Sequence, residues 1–239
     1  MEAEHHPSWS SELYQYTMKR LIIICEGPTE REFCENILSP FFFSKGIYLF
    51  SPLIKHSHGG IVKWEILKRQ IENHILSEKA YVSTLIDYYG IYDKYHFPDW
   101  ENAQKIADKN LRLNTIEQAM KSDIQPTLQR FFIPYMQLHE FEGLLFYDVQ
   151  TFQKTIPQED LIGIKELSDT IAEYPNPELI NNTEETSPSH RLQRIIKGYE
   201  KVLYGFFLAD TIGLNNIRSK CPRFNSWLDT LSSIGQNVD

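Results

Sequence analysis

Leu21-Ile22-Ile23-Ile24-Cys25-Glu26-Gly27-Pro28-Thr29-Glu30 is the stretch from which the fold follows. An unbroken apolar run ends in a carboxylate, then a Gly-Pro turn, then a helix start. Strands buried on both faces read as such runs. In open parallel sheets, ligands sit beyond the carboxyl ends of the strands. Glu26 therefore occupies the position where this architecture places its chemistry. The same pattern recurs twice. Tyr81 to Ile86 runs into Asp87, and Phe131 to Leu138 runs into His139, Glu140 and Glu142. Three apolar runs that each deliver an acid at one end predict a carboxylate cluster. Such a cluster suits a hard divalent cation such as Mg²⁺ or Mn²⁺.

Working outward, Thr29 and Glu32 have the spacing of a capping box. Phe33, Ile37 and Phe41 continue at helical period, and Gly46 ends the helix. Ile47 to Ile54 reads as a second strand, and His56 to Gly60 as a loop. Trp64, Leu67, Ile71 and Ile75 mark a second helix. After Asp87 an aromatic loop runs from Tyr88 to Trp100, which could stack bases or pack on the later helices, with packing expected. A third helix is expected from about Ala103 to Met120, then the fourth strand, and a helical turn over Glu142 to Val149. This order of elements implies an α/β fold, with a parallel sheet of about four strands flanked by helices. Past residue 150 no strand is visible. The expected organisation is a tail over 1–17, an α/β domain over 18–150, and a helical appendage over 151–239 packed upon it.

Composition narrows the function classes. The 239 residues carry a net charge of −8, so no broad basic face is expected. Any nucleic acid would need a local basic patch, a bridging metal or a partner. No apolar run approaches the roughly 18 residues of a membrane span. No signal-like segment opens the sequence, and Met18 is an alternative start. Cys25, Cys34 and Cys221 have no metal spacing, so a reduced, cytoplasmic protein is expected.

Each candidate site residue has a plain alternative. Glu26 and Asp87 are ligands or acid–base groups, or else solvated residues at strand ends. Glu30 lies in a first helical turn, where the dipole favours an acid in any case. Glu140 and Glu142 are two apart, so only one of them is expected to face the site. His139 is a ligand or a structural histidine. His190, Arg191, Arg194 and Lys197 recur on one helical face, as phosphate contacts or as a solvated face. His58-Gly59-Gly60 is an anion-binding turn or an ordinary one.

The segments Glu26-Gly27-Pro28-Thr29-Glu30, Leu85-Ile86-Asp87-Tyr88-Tyr89-Gly90 and Leu138-His139-Glu140-Phe141-Glu142-Gly143-Leu144-Leu145-Phe146 resemble motifs of a bacterial domain-of-unknown-function family, number 4276, with a Toprim-like fold. Pro177 to Asn181, Thr186 to Ser189, Tyr199 to Gly205 and Cys221 to Phe224 continue the likeness. It covers about Lys19 to Leu231. The wider Toprim group includes topoisomerases, primases and nucleases. They hold Mg²⁺ with a glutamate after the first strand and an Asp-x-Asp after a later one. The resemblance implies Glu26 and Asp87 as catalytic metal ligands. Tyr89 stands where the second aspartate would be, and Phe141-Glu142 resembles a third acidic motif that could supply the missing carboxylate. The implied activity is a Mg²⁺- or Mn²⁺-dependent nuclease acting on DNA or RNA. A partner ATPase of AAA or ABC type in phage defence follows by analogy only. The alternative is a non-catalytic partner module of such an ATPase.

Overall fold

The computed structural model describes residues 18–57, 60–180 and 183–236. The expected N-terminal tail, His58, Gly59 and Asn181 lie outside the described residues. The elements in chain order are β1 (Lys19–Cys25), α1 (Pro28–Phe33), a π turn (Cys34–Leu38), α2 (Ser39–Phe43), β2 (Ile47–Phe50), α3 (Trp64–Glu78) and β3 (Tyr81–Asp87). There follow α4 (Trp100–Ala103), α5 (Lys109–Asp123), β4 (Phe132–Ile133) and β5 (Met136–Gln137). The remainder is helical: α6 (Val149–Thr155), α7 (Ile164–Glu173), α8 (Pro188–Ile195), α9 (Lys201–Ile212), α10 (Leu214–Lys220) and α11 (Pro222–Ser232). Short 3₁₀ turns link several of these. Among the described residues, no helix is long and apolar enough to cross a membrane.

The sheet is parallel, in the order β2-β1-β3-β4, and β5 also pairs with β3. Alternation along β1 assigns its side chains to two cores. Leu21, Ile23 and Cys25 face α1 and the C-terminal helices, including Phe224, Trp227 and Leu231. Ile22 and Ile24 face α3 and α5, including Leu67, Ile71, Leu113 and Ile116. Helices from beyond residue 150 thus cover one face of the sheet and share its core. Cys25, Cys34 and Cys221 are buried free thiols.

Four details depart from the sequence reading. The fourth strand breaks in two at Pro134-Tyr135, because proline has no N–H for the ladder. Side chains of β3 fill the gap. Ser83 Oγ donates to the Ile133 carbonyl (2.5 Å), and Thr84 Oγ1 donates to the Tyr135 carbonyl (2.7 Å) and accepts from its N–H (3.1 Å). The second strand ends at Phe50, and the chain returns only for a bridge between Leu53 and Cys25. The third helix begins at Lys109 rather than Ala103, because Asp108 caps it by accepting from Leu111 N (2.7 Å). At the first helix the capping box belongs to Glu30 instead of Glu32. Its Oε2 accepts from Gly27 N (2.9 Å), with Pro28 in the first turn.

Candidate active site

The acids after β1, β3 and β5 meet at the carboxyl edge of the sheet. Glu26 leaves β1 with its N–H on the Leu85 carbonyl (3.1 Å), and its Oε2 accepts from Asp87 N (2.9 Å). Asp87 closes β3 and is buried. Its Oδ1 accepts from Phe141 N (3.0 Å), which ties β3 to the turn carrying Glu142. Parallel pairing of β3 with both β1 and β5 therefore aligns the three strand ends.

Glu142 is fully buried, and neither of its oxygens receives a well-aligned hydrogen bond. Among the described residues its one close counter-charge is Lys201, whose Nζ lies 3.0 Å from Oε1. Lys201 is the site residue that sequence reasoning missed. No apolar strand leads to it, and it sits in the first turn of a late helix. A legible signal lay four residues on, at Gly205. A Cβ there would lie 3.1 Å from Thr29 Cγ2 and 3.7 Å from Phe141 Cε1. A side chain at 205 would crowd Thr29, so the glycine suits the close packing of α9 here, and residue 201 shares that helical face. Gly90 lies beside Glu26, where a Cβ would stand in ordinary contact 3.5 Å from Glu26 Oε1.

The electrostatics are those of crowded acids. Burial pushes the Glu26 carboxyl up to about 7, against the Asp87 N–H and Lys201, while Glu30 and Glu142 push the same way. Burial likewise lifts Glu142 to about 7, with Lys201 opposing and Glu140 and Glu30 adding. Asp87 is raised well above the carboxylate range by burial, then by Glu30 and Glu26. Lys201 is raised against its own desolvation, chiefly by Glu142 and Asp87. The Tyr199 hydroxyl is buried without a hydrogen-bond partner, and burial and then Glu142 hold its proton on.

The other sequence candidates divide. Glu30 is buried in this cluster, held on Gly27 N. Glu140 turns away and accepts from Ser189 N (2.9 Å) and Ser189 Oγ (3.1 Å), anchoring α8. Glu142, not Glu140, faces Glu26 and Asp87. Tyr89 donates its N–H to the His139 carbonyl (3.2 Å), and Asp93 is exposed in a 3₁₀ turn. His139 is buried with φ +69°, and Lys109 Nζ lies 3.0 Å from its Nε2. Burial, then Lys109 and Arg112, lower His139 to about 3.

The basic face of α8 is engaged internally. Arg191 donates to the Thr186 carbonyl (2.8 Å) and Thr170 Oγ1 (2.9 Å). Arg194 pairs with Glu166 (2.6 Å), and His190 Nδ1 meets Ser187 Oγ (2.9 Å). The aromatic loop packs, but on the α3–α5 side rather than on the C-terminal helices. Phe97 meets Trp64 at 5.6 Å, and Tyr88 meets Trp100 at 5.6 Å.

The donor set of Glu26, Asp87 and Glu142 is all hard oxygen, which fits Mg²⁺ or Mn²⁺. Glu142 Oε2, which has no hydrogen-bond partner, and the upward shifts of all three acids are what a bound cation would relieve. Among the described residues, no group of three or more His, Cys, Asp or Glu side chains is already gathered to hold an ion.

A family model described as a domain of unknown function (DUF4276) matches residues 25–232. No curated protein and no solved structure matches the chain.

Proposed function

The chain belongs to the DUF4276 family, and from that premise we propose that it is a metal-dependent phosphodiesterase of Toprim type, acting on DNA or RNA. The observation that carries this reading is the convergence of Glu26, Asp87 and Glu142 at the carboxyl edge of parallel strands, with Lys201 among them. Glu26, Asp87 and Glu142 would hold Mg²⁺ or Mn²⁺, which when bound lowers the pKa of water and stabilises phosphoryl oxygens. The protein's own groups have distinct tasks. Glu26, held by the Asp87 N–H, would serve as a metal ligand or as the general base. Asp87 fixes the Phe141 turn and with it the place of Glu142. Lys201 supplies a fixed positive charge where charge develops on phosphate.

The resemblance to Toprim nucleases supports the substrate class, and by the same analogy an AAA- or ABC-type ATPase and a role in phage defence. Two observations favour the second reading, a non-catalytic partner module. Lys201 already neutralises Glu142, and Tyr89 replaces a second aspartate. The test is a nuclease assay with Mg²⁺ and Mn²⁺, repeated with any AAA- or ABC-type ATPase encoded beside it. Glu26→Gln is expected to lower activity at least about 100-fold. An inactive wild type that binds neither metal by calorimetry would leave the partner-module reading. Activity that survives Glu26→Gln would move the site elsewhere.

A further inference from the structure

Each acid of the cluster gives one oxygen to the fold and keeps one. Glu26 Oε2 accepts from Asp87 N (2.9 Å), Glu30 Oε2 from Gly27 N (2.9 Å) and Asp87 Oδ1 from Phe141 N (3.0 Å). Glu142 Oε1 faces the Lys201 ammonium at 3.0 Å. Among the described residues, Glu26 Oε1, Glu30 Oε1, Asp87 Oδ2 and Glu142 Oε2 accept no hydrogen bond. Glu142 Oε2 is left so in the interior, on a side chain with no solvent exposure. The side chains lie within reach of one another's fields. Glu30 and Glu142 both act on Glu26, and Glu30 and Glu26 both act on Asp87.

That set of oxygens suits one hard cation and is short for two. Mg²⁺ takes about six oxygen ligands and keeps several as water, so four carboxylate oxygens are ample for one ion. Two such ions side by side require about twelve ligand positions, and the acids would have to supply most of the bridge between them. The oxygen best placed to hold a second ion, Glu142 Oε1, already meets a cation. That cation is a fixture. Gly205, one turn beyond Lys201, packs against Thr29 and Phe141, the neighbours of Glu30 and Glu142, so α9 is set against both elements. Attraction to Glu142 and Asp87 keeps the ammonium protonated against its own desolvation. Among the described residues no three acids are already gathered around an ion position, whereas the ammonium is in contact with its carboxylate.

We infer that the Lys201 ammonium fills one of two cation positions in the cluster, so that the site takes a single divalent ion on the oxygens that Glu26, Glu30, Asp87 and Glu142 leave free. The inference rests on the metal of the phosphodiesterase reading and adds its number. Lys201 supplies beside Glu142, as a permanent part of the chain, the charge that a second and exchangeable ion would bring.

The test counts Mn²⁺ bound by the full chain without nucleic acid, by electron paramagnetic resonance of the unbound ion and by calorimetry. Wild type is expected to bind about one ion per chain. Lys201→Met removes the ammonium, keeps an apolar stem and is expected to bind about two. Lys197→Met loses an exposed charge outside the cluster and should bind as wild type does. Two ions in the wild type, or a single ion in folded Lys201→Met, would overturn the inference. A wild type that binds none would overturn it as well. If Lys201→Met does not fold, the wild-type count decides alone. Two ions in an active wild type would remove the inference and leave the phosphodiesterase reading standing. One ion in a wild type without nuclease activity, rising to two in Lys201→Met, would support the inference and remove that reading.

Discussion

Lys201 Nζ stands 3.0 Å from Glu142 Oε1, joining the first turn of α9 to a carboxylate with no solvent exposure. The lysine side chain is 45% exposed, so its stem reaches water while its ammonium turns inward. Removing one partner of such a pair strands the other charge in the interior, which typically costs about 3–5 kcal/mol. Solvent access on the lysine side argues for the lower end. Lys201→Met is therefore expected to lose about 3 kcal/mol at pH 8 without metal. The double variant Lys201→Met with Glu142→Gln should recover more than half of that. Urea melts of the four proteins measure it. A single variant as stable as wild type would mean that the pair contributes nothing to the fold.

Stability should also depend on pH in a particular direction. Glu26 and Glu142 titrate at about 7 in the folded chain, above the ordinary 4.5. Their contribution is fully present below about pH 4.5 and is lost as pH rises through 7. His139 acts oppositely. Its folded value of about 3 lies below 6.5, so its contribution is present above pH 6.5 and lost as pH falls towards 3. The terms oppose one another below pH 6.5, and above it the acids act alone. Metal-free protein should lose about 2 kcal/mol between pH 6.5 and 8 by urea denaturation. A flat or rising profile over that interval would contradict the crowded-acid picture.

How much of this was legible in the sequence depends on the range of the signal. Ile22 to Ile24 is a contiguous apolar run, and Val82 to Ile86 is a strand-forming run interrupted only by Ser83 and Thr84, so their strands and the acids at their ends could be read locally. Glu26, Asp87 and Glu142 do come together. The choice of Glu142 over Glu140 could not be read, because Ser189, which holds Glu140, lies 49 residues away. Lys201 was missed because its partner, Glu142, is distant in the chain and the nearby Gly205 gives only an indirect hint. Arg191 and Arg194 looked free because their partners, Thr170 and Glu166, sit on another helix. The break at Pro134 was open to a local reading, since a proline within a run argues against an unbroken central strand.

Glu178 is a further long-range residue, and its role is structural. It is buried, and its two oxygens accept from Arg223 N (2.9 Å) and Phe224 N (3.0 Å), capping the start of α11 from 45 residues away. Glu178→Ala leaves two N–H groups of the first turn without acceptors and opens a small void. A loss of about 2–4 kcal/mol is expected. Glu178→Gln keeps an acceptor oxygen and should lose less than half as much. Thermal melts decide this, and a Glu178→Ala variant as stable as wild type would show that the cap contributes nothing.

Divalent metal should stabilise the fold through the same acids whose burial is costly. A ligand that binds only the folded state adds RT ln(1 + [L]/Kd), about 2.7 kcal/mol at one hundred times Kd. Mg²⁺ or Mn²⁺ should therefore raise the melting temperature of the wild type, and more so at pH 8 than at pH 6, where protons compete for Glu26 and Glu142. Glu26→Gln removes one like charge from the cluster, so without metal it should melt at or above the wild-type temperature. In the same variant the metal-induced rise should shrink by at least half. Asp87→Asn should behave similarly, although its Oδ1 contact to Phe141 N must persist in the amide for the turn to hold. Glu140→Gln is the internal control. Its carboxylate is engaged by Ser189, so the metal response should be unchanged. A metal response lost in Glu140→Gln but retained in Glu26→Gln would place any cation on the α8 side and detach it from the strand ends.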